Sequence, residues 1–194
     1  AGLLDQGERS FQQGKYVEAK QSFQQAANLD ANDPRSRVSL AFAEFATGSF
    51  DQAAVAAHDA MSMAPDLAAT PLDIRGGFGN VSTFDQRYDA LQQTATSQAE
   101  TSRVRFLLGF MQYYSGDRTK GVETLLKYSA SNPDDRTIVP FVKTAEKFVR
   151  NVSDQKGNTT PPAAPSPITQ PGNAAPVSNV APVSMSSTPE PSRD

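Results

Sequence analysis

At 194 residues the chain has room for one domain of ordinary size, or for one such domain and a tail. Its net charge of −3 offers no basic field to nucleic acid or anionic lipid. With no cysteine and a single histidine, His58, it cannot form disulfides, thiolate metal sites or a thiol nucleophile, nor most histidine-based zinc sites and triads.

The chain opens AGLLDQ without a methionine, as a mature protein does when its leader has been cut after a small residue, and as a shortened chain does too. The first organised feature is a repeat. GKYVEA at 14–19 returns as GSFDQA at 48–53, and Ala19 and Ala53 are each followed seven residues later by another alanine, Ala26 and Ala60, so the offset is 34 residues. The same offset carries Gly48 to Ser82 and Gly116, Phe23 to Ala57, Leu91 and Leu125, and Pro65 to Ala99 and Pro133; SFDQ at 49–52 recurs as TFDQ at 83–86.

Apolar or small residues three, four and seven apart on either side of each glycine predict pairs of helices folded back on one another at the glycine. The first pair occupies 1–33, the second 34–67, the third 68–101 and the fourth 102–135. Ala19, Ala26, Ala53 and Ala60 allow close helix approach, and Tyr16, Phe50 and Phe84 are expected at equivalent places in successive hairpins. Ser49 with Gln52, and Thr83 with Gln86, have capping-box spacing, and Asp33 before Pro34 starts a first helix. In the third pair, Pro71, Gly76, Gly77 and Gly79 oppose the first helix, at about 1 kcal/mol per interior glycine and about 3 for proline. That helix is expected to shrink to a turn or two, or to become an irregular segment along the groove, while Phe84, Tyr88, Leu91 and Thr94 mark one side of a second helix. A last amphipathic stretch, about 137–150, sets Val142, Ala145 and Val149 against the array and Lys143, Glu146, Lys147 and Arg150 outward as a polar cap. Residues 151–194 hold most of the prolines, few charges and no aromatic residue, and read as a disordered Pro/Ala/Ser-rich tail. Such alternation is common in exported bacterial linkers, so an exported or periplasmic setting is expected, with a cytoplasmic one still open.

Little in the chain reads as chemistry. The glycines of DIRGGFGNVS, 73–82, neither follow a strand nor open a helix with the Lys or Ser/Thr pair of a phosphate loop. His58 reads as a solvated histidine beside Asp59, and Asp134 and Asp135 read as capping charges at a helix entrance. Sequons begin at Asn80, Asn151 and Asn158. No catalytic residue, metal site or cofactor is expected.

These residues resemble the tetratricopeptide repeat. The first pair supplies Gly7, Phe11, Tyr16, Ala19, Phe23 and Ala26, with Ala31 where proline is usual. The second supplies Leu40, Ala41, Phe45, Phe50, Ala53, Ala60 and Pro65, and the fourth Leu108, Gly109, Tyr113, Gly116, Leu125 and Pro133, departing at Arg118 and Gly121. The resemblance implies an all-α, right-handed superhelical solenoid whose first helices line a concave face. Carried over, that face holds Leu4, Glu8 and Phe11, then Arg35, Val38, Phe42 and Phe45, then Arg103, Phe106, Phe110 and Tyr113. Rings rimmed by Arg35, Arg103 and Arg105 would favour an apolar or amphipathic segment with some negative charge. Two other readings stand beside this one: Leu72, Ile74 and Phe78 could fold into the groove and cover the rings, or the rings could serve ordinary helix packing. The carboxylate clamp of chaperone-binding relatives is not matched, because Leu4, Glu8 and Ser39 stand in its places. The function implied is a non-enzymatic adaptor that binds a protein or peptide, without nucleic acid or membrane insertion. The alternative is an architectural or oligomerisation module of a larger exported assembly, and the sequence leaves the oligomeric state open.

Overall fold

The computed structural model describes residues 2–97 and 102–157, with side chains through Val152. Among them the fold is all-α. Helices α1 (Leu3–Gln12) and α2 (Tyr16–Leu29) form the first hairpin, and α3 (Pro34–Thr47) and α4 (Phe50–Met63) the second. A 3₁₀ turn, Pro65–Ala69, leads to the short α5 (Ile74–Gly77) and then α6 (Val81–Thr96). A further hairpin, α7 (Ser102–Tyr114) and α8 (Arg118–Ser131), is followed by α9 (Val139–Gly157).

Three hairpins turn on glycines in the left-handed region, Gly14 at φ 74°, Gly48 at 82° and Gly116 at 109°, where a side chain would be strained. Their second helices begin at Tyr16, Phe50 and Arg118, in step with the sequence period. Each turn is packed by a pair five residues apart. Phe11 meets Tyr16 edge-on at 5.1 Å, Phe45 meets Phe50 at 6.1 Å, and the Arg118 guanidinium lies 4.9 Å from the Tyr113 ring centre, a cation–π contact in place of two rings. Ala19 and Ala53 are wholly buried where the helices cross, as close approach requires. At the corresponding Gly121 a Cβ would come within 2.5 Å of the Tyr113 backbone nitrogen, so there even alanine does not fit.

The third pair departs from the pattern. Its first helix is reduced to the 3₁₀ turn and the four residues of α5, as Pro71 and the glycines dictate. Without that partner no hairpin turn forms at Ser82. Instead α6 starts three residues before the periodic position, capped by the Asn80 side chain, which accepts from Ser82 N. Thr83 and Gln86 therefore lie inside a helix rather than at its start, and Phe84 does not occupy the place of Tyr16 and Phe50. The capping box expected at Ser49 is absent as well. Ser49 is the N-cap of α4 but makes no side-chain cap bond, its hydroxyl lying 3.3 Å from that of Thr47. Asp33 does cap α3, accepting from Arg35 N at 3.1 Å with Pro34 at the first position.

In the core, α4 lies directly against α7, and α6 packs on α7 and the end of α3, where Arg87 Nε donates to the Ala46 carbonyl at 3.0 Å. Helix α9 packs on α8 and along the 3₁₀ turn, burying Phe141, Val142 and Ala145, with Ile138 buried just before it, while Lys143, Lys147 and Arg150 stay exposed. Pro140 falls in its first turn, and it runs seven residues past the expected limit at 150. The rest of the expected tail, from 158, and the third boundary at 101 lie outside the described residues.

Candidate functional site

The face built by the first helices of the pairs is occupied by the chain itself. From the end of α4, residues 65–80 run as a strap from α7 to α1. At one end the strap offers its carbonyls: Tyr114 Oη donates to Leu67 O at 2.8 Å, Tyr113 Oη donates to Ala68 O, and Arg118 Nη2 donates to Thr70 O at 3.1 Å. Burial pushes the Tyr114 phenol well above its ordinary pKa, and burial raises that of Tyr113 against the opposing charge of Arg118, so both remain donors. At the other end Phe78 sits among Phe11 (4.9 Å), Phe84 (5.2 Å), Tyr16 (5.3 Å) and Phe45 (6.1 Å). Gly79 lies so close to the first hairpin turn that a Cβ would stand 2.2 Å from Gln12 O.

This arrangement corrects the expected binding surface. Val38, Phe45, Phe106, Phe110 and Tyr113 are all buried and present no ring to a partner. Phe106 faces His58 at 5.6 Å and Tyr128 at 5.3 Å, on the side of α4 and α8 rather than beside Phe42. Phe110 is closed over by Phe42 at 5.7 Å and Tyr114 at 5.0 Å. Nor do the arginines form a rim. Arg35 is an exposed side chain at the start of α3, with Nε 3.2 Å from Asp33, Arg103 lines clefts beside α4, and Arg105 lines another between α6 and α8. Of the expected rings only Phe42 remains half-exposed. It borders a cleft of about 330 Å³ between α1, α3 and the strap, walled by Phe11, Phe23, Phe42, Leu72 and Ile74, with Glu8, Gln12, Ser39 and Asp73 as its polar groups.

A second polar cluster went unread in the sequence. His58 Nε2 lies 3.0 Å from Asp135 Oδ2 and 2.9 Å from Thr137 Oγ1, and Tyr128 Oη donates to the same carboxylate at 2.8 Å. Desolvation opposes the charge on Asp135, yet hydrogen bonds from Thr137, Tyr128 and His58 outweigh it and hold the carboxyl below its ordinary value. His58 is thus engaged rather than solvated, and Asp135 is a hub rather than a simple helix cap. The cluster is not a relay. A hydroxyl–imidazole–carboxylate relay uses both ring nitrogens, whereas here Thr137 and Asp135 share one and bond each other directly. It clasps α4 to the α8–α9 turn.

Paired helices in a 34-residue period, glycine turns and a helical cap make the described residues an all-α helical repeat that is tetratricopeptide-like. The family model for the tetratricopeptide repeat matches residues 10–70, from the end of α1 to the end of the 3₁₀ turn. No curated protein matches the chain. Proteins of this repeat generally mediate protein–protein interaction. No helix among the described residues is long and apolar enough to cross a membrane.

Proposed function

We propose that the protein is a non-enzymatic adaptor that holds a short apolar segment of a partner protein in the cleft between α1, α3 and the strap. The observation that carries this reading is the cleft itself, walled by aromatic and aliphatic side chains with a few polar groups among them, the composition of a peptide-receiving surface. Partner side chains would rest on Phe42 and Leu72, and Ser39 and Gln12 would meet the partner's main chain. A photo-crosslinking residue in place of Ser39, in the cell that makes the protein, should give one discrete adduct that disappears with Leu72→Asp. No adduct, or the same adducts from a probe at Val17 on the exposed side of α2, would end this reading. An exported or periplasmic setting belongs to the same proposal, resting on the composition of the C-terminal residues, and cell fractionation checks it.

The architectural reading would use the large apolar side chains exposed on α2 and α4, namely Val17, Leu29, Val55 and Met63. A multimer in light scattering would favour it, and a monomer the adaptor.

A further inference from the structure

Glu44 is where burial and bonding disagree. Its residue is only 7% exposed, yet Oε2 has no hydrogen-bond partner. A buried acceptor left unmet is destabilising, and more so when it is charged. The period explains why no side chain of the protein meets it. Two repeats on, Gln112 holds the same place, is equally buried, and accepts from Thr124 Oγ1 at 2.6 Å. In the second hairpin the residue matching Thr124 is Ala56, which has no donor to give.

Glu44 lines a cleft of about 400 Å³ formed by α2, α3, α4 and Arg103 of α7, apart from the cleft beside Phe42. The charges around it are Lys20 on α2, Arg37 on α3, Asp51 and Asp59 on α4, and Arg103. Arg37 Nη1 approaches Asp59 at 3.6 Å, so that pair counters itself, while Arg37 Nε stays buried and unbonded. Asp51 has contacts of its own. Lys20 lies near enough to offset part of the burial effect on Glu44 but makes no bond to Oε2. Glu44 and Arg37 thus line one cleft and hold, beneath its surface, an unmet acceptor and an unmet donor; of the apolar residues beside them Leu40 and Ala56 are buried and Val55 is 45% exposed.

From this juxtaposition we propose that the cleft binds an arginine or lysine side chain of a partner polypeptide. The Glu44 and Arg37 side chains turn outward on binding: Glu44 Oε2 takes the charged head, the methylenes lie on Val55, and a main-chain carbonyl of the same segment accepts from Arg37 Nε. A cationic donor suits the site better than a neutral one, because a desolvated carboxylate gains most from a charged partner. Burial supports this reading, pushing the Glu44 pKa up to about 6 despite Lys20, so a cation entering the cleft also restores the ionised form.

The test is a titration of the full chain, isotopically labelled for amide NMR, with the blocked tripeptide acetyl-Ala-Arg-Ala-amide near neutral pH. Saturable shifts are expected at amides of residues 40–44 and 55–59. The same peptide with norleucine for arginine should bind about tenfold more weakly or worse, and agmatine, which lacks a carbonyl for Arg37, more weakly than the arginine peptide. Glu44→Gln should lower affinity about tenfold, and Ala56→Thr, which installs the internal donor that Gln112 already has, should lower it similarly with the fold intact. Affinity should also fall when the pH is brought about one unit below the raised pKa, since protonation removes the charge being read. Absence of shifts in these two segments, equal binding of the norleucine peptide, unchanged affinity in both variants, or agmatine binding as tightly as the peptide would each overturn the proposal.

Discussion

Arg118 stands in the last hairpin where Tyr16 and Phe50 stand in the first two, and Gly121 stands where they have Ala19 and Ala53. The two exchanges belong together. Arg118 covers the Tyr113 ring, reaches on to Phe148 at 4.6 Å and donates to the Thr70 carbonyl of the strap, so one side chain combines two cation–π contacts with a charged hydrogen bond. Gly121 then lets α8 close on the Tyr113 backbone. The repeat pattern and helix propensity both favour alanine at 121, by about 1 kcal/mol. The contact distance argues the reverse, because overpacking against backbone costs about 1–3 kcal/mol and backbone cannot turn aside as a side chain can. Gly121→Ala is therefore expected to lower stability by about 1–2 kcal/mol, read as a drop in the urea midpoint at unchanged slope. A rise in the midpoint would show that α8 can shift outward at little cost. This departure was legible in the sequence as a break in pattern, but its direction was not, because only the crossing distance sets its sign.

Among the elements, the strap and α6 show where periodicity stops predicting structure. The hairpins α1–α2, α3–α4 and α7–α8 follow from local signals that agree with one another: apolar spacing, glycine at the turn, small residues at the crossing. In the third pair TFDQ repeats SFDQ letter for letter at three positions, yet α6 starts elsewhere, since a second helix needs a first to fold against and Pro71, Gly76, Gly77 and Gly79 remove it. The fate of the concave rings was equally out of reach. Phe45 and Phe110 are spaced as groove residues, yet Phe45 meets Phe78 of a segment with no period of its own, and Phe110 is closed over by Phe42 and Tyr114 of the helices themselves. Phe78 is the pin of that segment. Phe78→Ala should lower global stability by about 3 kcal/mol. Amides of residues 74–80 should exchange with solvent faster than those of α7, because the carbonyl anchors at 67–70 are untouched. Hydrogen-exchange mass spectrometry checks this, and uniform acceleration across the chain would mean that the strap has no independent opening.

For the molecule as a whole, Asp135 joins parts of the chain that the repeat would keep apart. Its carboxylate takes hydrogen bonds from Tyr128 and Thr137 and faces His58 of the second hairpin. Asp135→Asn should cost about 1–3 kcal/mol at neutral pH. Because the native carboxyl is held below its ordinary value, its contribution is full above about pH 4, the unfolded value, and is lost as the pH falls through the native one. The gap between wild type and Asp135→Asn should thus close in acid, as measured by thermal melts across the acid range. A gap independent of pH would assign the effect to packing.

The bed of α9 on the 3₁₀ turn carries a further consequence. Stacked repeats that touch only their neighbours can fray from an end, one module at a time. Here the last helix lies on residues that follow the second hairpin, and those residues carry the carbonyls that Tyr113, Tyr114 and Arg118 hold. Peeling the terminus away would strip cover from the middle of the chain, so tension applied beyond α9 would be felt first at the anchored end of the strap rather than at the nearest repeat.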